Sequence, residues 1–194
     1  MISAKIVSEL REQTGGGLLD CKRALEESGG NFEKAVEILR KKGVASAAKK
    51  AGRTATEGII EAYIHTGGRV GVLLQLNCET DFVAKNDQFK ALARDIAMHI
   101  AATAPTYVQA EDIPADVVAK EEAFAAEQVS GKPAHAIAAI VKGKMEKFYA
   151  SVCLLNQPFV KNPDTTVGEL VSGFIARIGE NIRVGGFERF QIGG

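Results

Sequence analysis

Cysteine, histidine and aspartate, the residue types that can build a nucleophilic site, occur around the end of one predicted strand. Cys78 closes an apolar run, Asp81 follows it, and His65 and His99 are near enough in sequence for the fold to bring them to the same sheet end. A thiolate activated by a histidine that a carboxylate orients is an effective nucleophile. A thiol in an apolar strand, however, usually has a raised pKa and behaves as a small hydrophobic residue. The sequence therefore favours a structural Cys78 and leaves a cysteine-dependent enzyme open.

Patterns for metal or nucleotide binding are weak. His65, His99 and His135 are scattered, and none is followed at helical spacing by a second ligand. The segment 131–132, Gly-Lys, lacks the upstream glycine of a phosphate-binding loop and is followed by Pro133. We therefore expect no metal, nucleotide or other cofactor in this chain.

Composition narrows the class of protein. The chain has 194 residues, 46% of them hydrophobic, and its 24 basic residues balance 24 acidic ones, which argues against a protein that coats nucleic acid or an anionic membrane. Its three cysteines are far apart and odd in number, which fits reduced thiols. No apolar run is long enough to span a bilayer, and the N-terminus lacks the features of a signal or transit peptide. We expect a cytoplasmic protein with no direct nucleic-acid or membrane partner.

Apolar periodicity predicts three short helices in the first 40 residues, separated by breaks at 15–17 and 28–31. Leu18 and Leu19 fall in the first turn of the second helix, about 100° apart, so at most one can face inward. The other is free to bind a partner, unless a neighbouring helix covers both. The small, basic segment that follows contains no aromatic residue to stack a base, which favours a solvated helical connector.

The remainder predicts an α+β fold. Residues 58–65 and 69–77 alternate like strands around a Thr-Gly-Gly turn, and residues 181–192 predict a third strand with a bulge at Gly185 and Gly186. We expect a small antiparallel three-stranded sheet with helices on one side. The predicted helices are 89–104, 115–129, 134–142, 143–151 and 167–178.

The corner after the second strand places an aromatic residue beside a carboxylate. Thr80 is typical of a helix N-cap, so Asp81 and Phe82 lie in a first helical turn. In one interpretation Phe82 packs inward as a staple and Asp81 only complements the helix dipole. In the other, the pair projects from the fold and acts on a partner.

Several runs together resemble the elongation factor Ts family of translation factors. Residues 14–25 (TGGGLLDCKRAL) and 77–84 (NCETDFVA) resemble its two signature motifs. Further similarity lies at 97–101 (AMHIA), 157–160 (QPFV) and 178–182 (IGENI), so the resemblance extends along the whole chain.

This resemblance implies a guanine nucleotide exchange factor for elongation factor Tu, without catalytic chemistry of its own. It implies a ubiquitin-associated-like three-helix domain at 1–42, a basic helical connector at 43–56 and an α+β core at 57–194. By direct match, Thr80, Asp81, Phe82 and Val83 form the element that enters the partner's GTPase domain and dislodges its Mg²⁺. Leu18 and Leu19 match the apolar pair that docks on that domain. A non-exchanging adaptor and a cysteine-dependent enzyme remain the alternatives.

The resemblance also implies self-association. Longer relatives carry a duplicated core with a coiled-coil insertion, whereas this chain supplies one sheet unit and resembles the short form, in which two chains replace the two halves. We therefore expect a homodimer through the sheet. Glu188 stands where a bridging cysteine would be needed, so we expect no disulfide link between the chains at this strand.

Overall fold

The computed structural model describes residues 2–129 and 133–193 and has the predicted α+β architecture. Its helices are α1 (Ala4–Thr14), α2 (Leu18–Glu27), α3 (Phe32–Lys50), α4 (Asp81–Lys85), α5 (Asp87–Thr103), α6 (Ala115–Glu127), α7 (Ala134–Val152) and α8 (Val167–Ile178). Its strands are β1 (Glu57–Ile64), β2 (Val70–Cys78), β3 (Pro158–Phe159), β4 (Asn162–Thr166) and β5 (Arg183–Gln191).

The first three helices enclose a small apolar core of their own, which confirms the predicted helical module. Ser3 is the N-cap of α1, and its side chain accepts a hydrogen bond from the Ile6 N–H. Gly15 is the C-cap, in the left-handed conformation. The buried residues of this module are Val7, Leu10, Cys21, Ala24, Leu25 and Ala35.

Helix α3 continues to Lys50, beyond the end predicted near residue 40. Gly43 would weaken an isolated helix, but here it is buried where α3 crosses α8, and a Cβ atom at this position would lie 3.8 Å from the Cα atom of Gly173. Arg40 adds an ion pair with Glu169, with Nε and Oε1 3.6 Å apart. The helix thus joins the N-terminal module to the rest of the fold, and the division into domains at residues 42 and 56 stays a prediction.

The main sheet has the order β1-β2-β5, with both pairings antiparallel, so the predicted hairpin and its pairing with the last strand are confirmed. The predicted bulge is also present. Gln75 pairs with Gly186 and the next residue, Leu76, pairs with Val184, which leaves Gly185 as the extra residue. A side chain on Gly185 would collide with Asn77 and Gln75 of the neighbouring strand.

The main core lies between one face of this sheet and the helices α5 and α8. Helix α5 packs on β1 and β2, and its apolar stripe is fully or nearly fully buried. The largest buried apolar side chains contributed by the sheet and α5 are Val72, Leu74, Leu76, Phe89, Leu92, Ile96 and Ile100. This core fixes the end of β2, from which the candidate site projects.

Two local predictions were wrong or incomplete. Residues 134–142 and 143–151 were predicted as separate helices, yet α7 is continuous through Gly143. A glycine inside a helix costs about 1 kcal/mol relative to alanine, which the packing of Met145 and its neighbours on the same helix is sufficient to offset. The short β3–β4 pair was not predicted, because a two-residue strand carries almost no periodic signal.

Candidate functional site

The end of β2 turns directly into the short helix α4, and this corner carries the motif singled out in the sequence. Thr80 has extended backbone angles, φ −127° and ψ 154°, and its hydroxyl accepts a hydrogen bond from the Val83 N–H at 3.4 Å. The prediction that Thr80 is the N-cap is therefore confirmed.

Phe82 is the most exposed large hydrophobic side chain among the described residues, with 84% of its surface open to solvent. The interpretation in which Phe82 packs inward as a staple is wrong. Ala84 takes the buried position of this helix and Val83 packs partly against the main core, so the turn is anchored by those two residues. Phe82 is left pointing away from the core.

Asp81 is also exposed, and it is paired within its own helix. The Lys85 ammonium lies 2.6 Å from its carboxylate oxygen Oδ2. This hydrogen bond, together with the charge of Lys85, lowers the pKa of Asp81 below its usual value and raises that of Lys85. Asp81 therefore stands beside Phe82 as a carboxylate at neutral pH.

The corner is held by side chains that the sequence did not identify as functional. The Glu180 carboxylate accepts hydrogen bonds from the Thr80 hydroxyl at 2.7 Å and from the Thr80 N–H at 3.1 Å. The Glu79 carboxylate accepts one from the Asn181 N–H at 2.6 Å. Glu180 and Asn181 belong to the run 178–182 that matches the family, which was the only signal available for them.

The groups proposed for nucleophilic catalysis do not come together. The Cys78 thiol is fully buried and donates to the Thr80 carbonyl oxygen at 3.1 Å, and burial, followed by the charge of Glu180, raises its pKa to about 11. His65 lies against the Tyr63 hydroxyl, 3.0 Å from Nδ1, and Asp81 is paired with Lys85. Each of these groups is engaged with another partner, and the corner presents Phe82 beside the Asp81 carboxylate to solvent.

His99 is a core histidine, as expected for most histidines in this kind of position. Its Nδ1 accepts a hydrogen bond from the Val160 N–H at 3.2 Å, so Nε2 carries the proton and donates to the Gln157 side-chain oxygen at 2.9 Å. Burial lowers its pKa, and the hydrogen bond to Gln157 opposes this in part. The neutral ring ties α5 to the segment before β4.

Leu18 and Leu19 form a second exposed apolar site. They open α2, and 58% and 68% of their surfaces are exposed, so neither is covered by a neighbouring helix. Cys21 and Leu25, further along the same helix, take the buried positions instead. The structure thus favours the interpretation of this pair as a surface for a partner over the interpretation in which both are covered.

Other kinds of site find no support in the part of the chain that the structure describes. Within residues 2–129 and 133–193 there is no group of three or more metal-ligating side chains, and no helix there is long and apolar enough to cross a membrane. Gly131 and Lys132 lie outside the described residues, and so does the side chain of His135.

An α+β fold that exposes apolar side chains at the starts of α2 and α4, the second clamped at the end of a buried strand, is typical of a protein that binds another protein. A family model described as elongation factor TS matches residues 32–194. Among curated proteins, the elongation factor Ts of Carboxydothermus hydrogenoformans is 60% identical over 195 residues, covering 100% of this chain and 90% of that protein. The elongation factor Ts of Fervidobacterium nodosum is 56% identical, with 99% of this chain and 98% of that protein covered.

The chain therefore belongs to the elongation factor Ts family and is a factor of translation elongation. The resemblance carried by residues 14–25 and 77–84 is confirmed by these matches.

Proposed function

We propose that this protein is the guanine nucleotide exchange factor for elongation factor Tu, and that the corner Thr80–Val83 acts on the Mg²⁺ side of the partner's nucleotide site. The observation that carries the proposal is the exposure of Phe82 on a turn that is anchored on both sides. An apolar ring held out in water at 84% exposure gains free energy only when a partner covers it.

The free energy gained by burying Phe82 has an upper bound that can be calculated. A buried phenylalanine removes about 150–250 Å² from water, which at about 25 cal/mol per Å² gives an upper bound of roughly 4–6 kcal/mol. If Phe82 can be buried only after the Mg²⁺-binding and phosphate-binding segments of the partner have moved, this free energy favours the nucleotide-free state. Linkage is reciprocal, so a newly bound nucleotide lowers the affinity of the factor for the partner by the same ratio by which the factor lowers the affinity for nucleotide. The factor then dissociates.

Asp81 contributes charge to the same event. Its carboxylate remains ionised next to Phe82, since Lys85 lowers its pKa. A carboxylate brought close to a Mg²⁺ site competes with the metal's own ligands or accepts hydrogen bonds from displaced backbone amides. The Lys85 side chain is exposed and can leave Asp81 to pair with a group of the partner.

Leu18 and Leu19 provide the docking contact in this proposal. Both side chains are exposed on the N-terminal module, at a distance in sequence from the corner. Their burial on the GTPase domain would hold the two proteins together while the corner enters. The factor itself makes and breaks no covalent bond in this scheme.

The proposal is tested by stopped-flow release of fluorescent GDP from elongation factor Tu, with and without this protein, in Mg²⁺ and in EDTA. We expect strong acceleration in Mg²⁺ and a much smaller ratio in EDTA, where no metal remains to be dislodged. An equal acceleration in both buffers would contradict the Mg²⁺ step, and no acceleration in either would contradict the exchange function.

We also propose that two copies of this chain pair through the outer face of the sheet. Cross-strand neighbours on this face leave a patch of large apolar side chains in water, formed by Ile60, Ile64, Leu73, Phe190 and Ile192, each between 48% and 67% exposed. The inner face of the same sheet is buried by α5, so the outer face is the one available to a second copy. Contiguous apolar patches of this kind usually mark an interface.

Light scattering tests the pairing. We expect a mass of twice 20.6 kDa for the native chain and a mass near 20.6 kDa for Phe190→Glu. A monomeric native chain at working concentrations would contradict the pairing without affecting the exchange proposal.

A further inference from the structure

The turn that presents Phe82 depends on a residue a hundred positions further along the chain. Glu180 places both carboxylate oxygens on Thr80, with Oε1 2.7 Å from the hydroxyl and Oε2 3.1 Å from the backbone nitrogen. The Thr80 N–H lies before the first turn of α4, where the helix supplies it with no acceptor. Glu180 therefore satisfies a donor that would otherwise depend on solvent.

The same contact fixes the N-cap. Because the Thr80 hydroxyl donates its proton to Glu180, its oxygen is left to accept from the Val83 N–H. That cap bond is long, at 3.4 Å. Helix α4 has only five residues, and so short a helix has little stability of its own. The position of Phe82 in the first turn thus relies on the orientation that Glu180 gives to Thr80.

Glu180 is itself placed by the end of α8. Gly179 ends this helix in the left-handed conformation, with φ 89°, and its N–H bonds to the Ile175 carbonyl oxygen at 2.9 Å. Residues other than glycine are strained in this conformation. The reversal of the chain at Gly179 turns Glu180 towards the corner.

A second set of contacts joins the residues after α8 to the segment that follows α3. Asn181 donates from its backbone to Glu79 at 2.6 Å and from its side chain to the Arg53 carbonyl oxygen at 2.8 Å. Arg53 also forms an ion pair with Glu79, with Nη1 and Oε1 3.5 Å apart. The corner is therefore clamped to the segment that follows α3, the helix that carries the N-terminal module.

We propose that Glu180 is a positioning residue of the exchange reaction, which holds Thr80 so that Phe82 is presented in its active orientation. This inference rests on the proposed function of Phe82. A turn that is already ordered loses less conformational freedom when it inserts into the partner. A larger fraction of the protein is therefore ready to insert at any moment. Since docking through Leu18 and Leu19 does not involve the corner, loss of Glu180 lowers the maximal rate of GDP release and leaves the half-saturating concentration nearly unchanged.

The test compares Glu180→Ala and Glu180→Gln with the native chain by stopped-flow GDP release over a range of factor concentrations. Glu122→Ala is the matched control, because it removes the same charge from an exposed position on α6. We expect Glu180→Ala to lower the maximal rate by roughly five- to thirtyfold, the effect of losing about 1–2 kcal/mol of hydrogen bonding to a charged acceptor. Glu180→Gln keeps one acceptor oxygen and should recover part of the rate.

A double-mutant cycle with Phe82→Ala separates positioning from a general structural effect. If Glu180 acts through Phe82, then Glu180→Ala changes the rate less than about twofold in the Phe82→Ala background. The same fold loss in both backgrounds, or a change only in the half-saturating concentration, would overturn the positioning role. A slow Phe82→Ala with a normal Glu180→Ala would overturn this inference alone, whereas a normal Phe82→Ala would overturn the proposed role of Phe82 on which it rests.

Amide hydrogen exchange gives a readout on the free protein. We expect Glu180→Ala to speed exchange at Thr80 and Val83 while protection in β2 and α5 stays native. Unchanged exchange at these two amides would contradict the clamp, and a general loss of protection would show that Glu180 stabilises the fold rather than the corner.

Discussion

The exposed apolar side chains at the starts of α2 and α4 are supported differently. Leu18 and Leu19 open α2 after Gly17, which provides no side-chain cap, and they lie exposed on the N-terminal module, which has a small core of its own. Phe82 lies in the first turn of α4, after the N-cap Thr80, which Glu180 holds in place, and it projects from the edge of the main core. One site is a surface on a small module, and the other is a single side chain on a clamped turn.

This difference suggests a division of labour between affinity and rate. A pair of leucines can be buried on an unchanged partner surface and so contributes to binding in every nucleotide state. A clamped phenylalanine that fits only after the partner has changed contributes to the nucleotide-free state alone. If both sites affect the same kinetic parameter, this division between affinity and rate is wrong.

The largest effect is expected for the docking pair. Leu18→Asp with Leu19→Asp should raise the half-saturating concentration for GDP release by roughly a hundredfold, since a fully buried leucine contributes about 1.5–3 kcal/mol and these two have 58% and 68% of their surfaces left to bury. The maximal rate should stay within a factor of two. Phe124→Asp is the matched control, since Phe124 is 55% exposed on α6 and has no assigned partner. A fall in the maximal rate with unchanged half-saturation would contradict the division of labour.

A smaller effect should appear in the stability of the two regions themselves. Cys21 is buried in the N-terminal core, built from six buried residues, and Cys78 in the main core, built from eighteen. Burial raises the pKa of both thiols, so a thiol reagent must wait for local opening. We expect Cys21 to be modified about tenfold faster than Cys78, measured by mass spectrometry of the labelled peptides. Earlier labelling of Cys78 would show that the corner is the less stable region.

Local chemistry in the sequence was sufficient to predict much of the fold. The Thr-Gly-Gly turn between two alternating runs gave the β1–β2 hairpin, and Gly185 and Gly186 gave the bulge in β5. Thr80 was identified as an N-cap because the capping bond joins its hydroxyl to the Val83 N–H, only three residues further along the chain. Such features depend on neighbours in sequence, and sequence periodicity records them directly.

The remaining features depend on contacts that are distant in sequence. Phe82 and Val83 are both apolar and adjacent, and which of them faces the core is decided by where the main core lies against α4. Glu180 meets Thr80 across a hundred residues, with no pattern to signal it. The continuity of α3 through Gly43 likewise depends on the close approach of Gly173.

Phe82 is expected to act on the rate of exchange, and one titration separates that rate from the strength of docking. GDP release from elongation factor Tu should be followed by stopped flow at increasing concentrations of Phe82→Ala, with the fold of the variant checked by circular dichroism. We predict that the maximal rate falls by an order of magnitude or more while half-saturation changes little. A native maximal rate at saturation would contradict the claim.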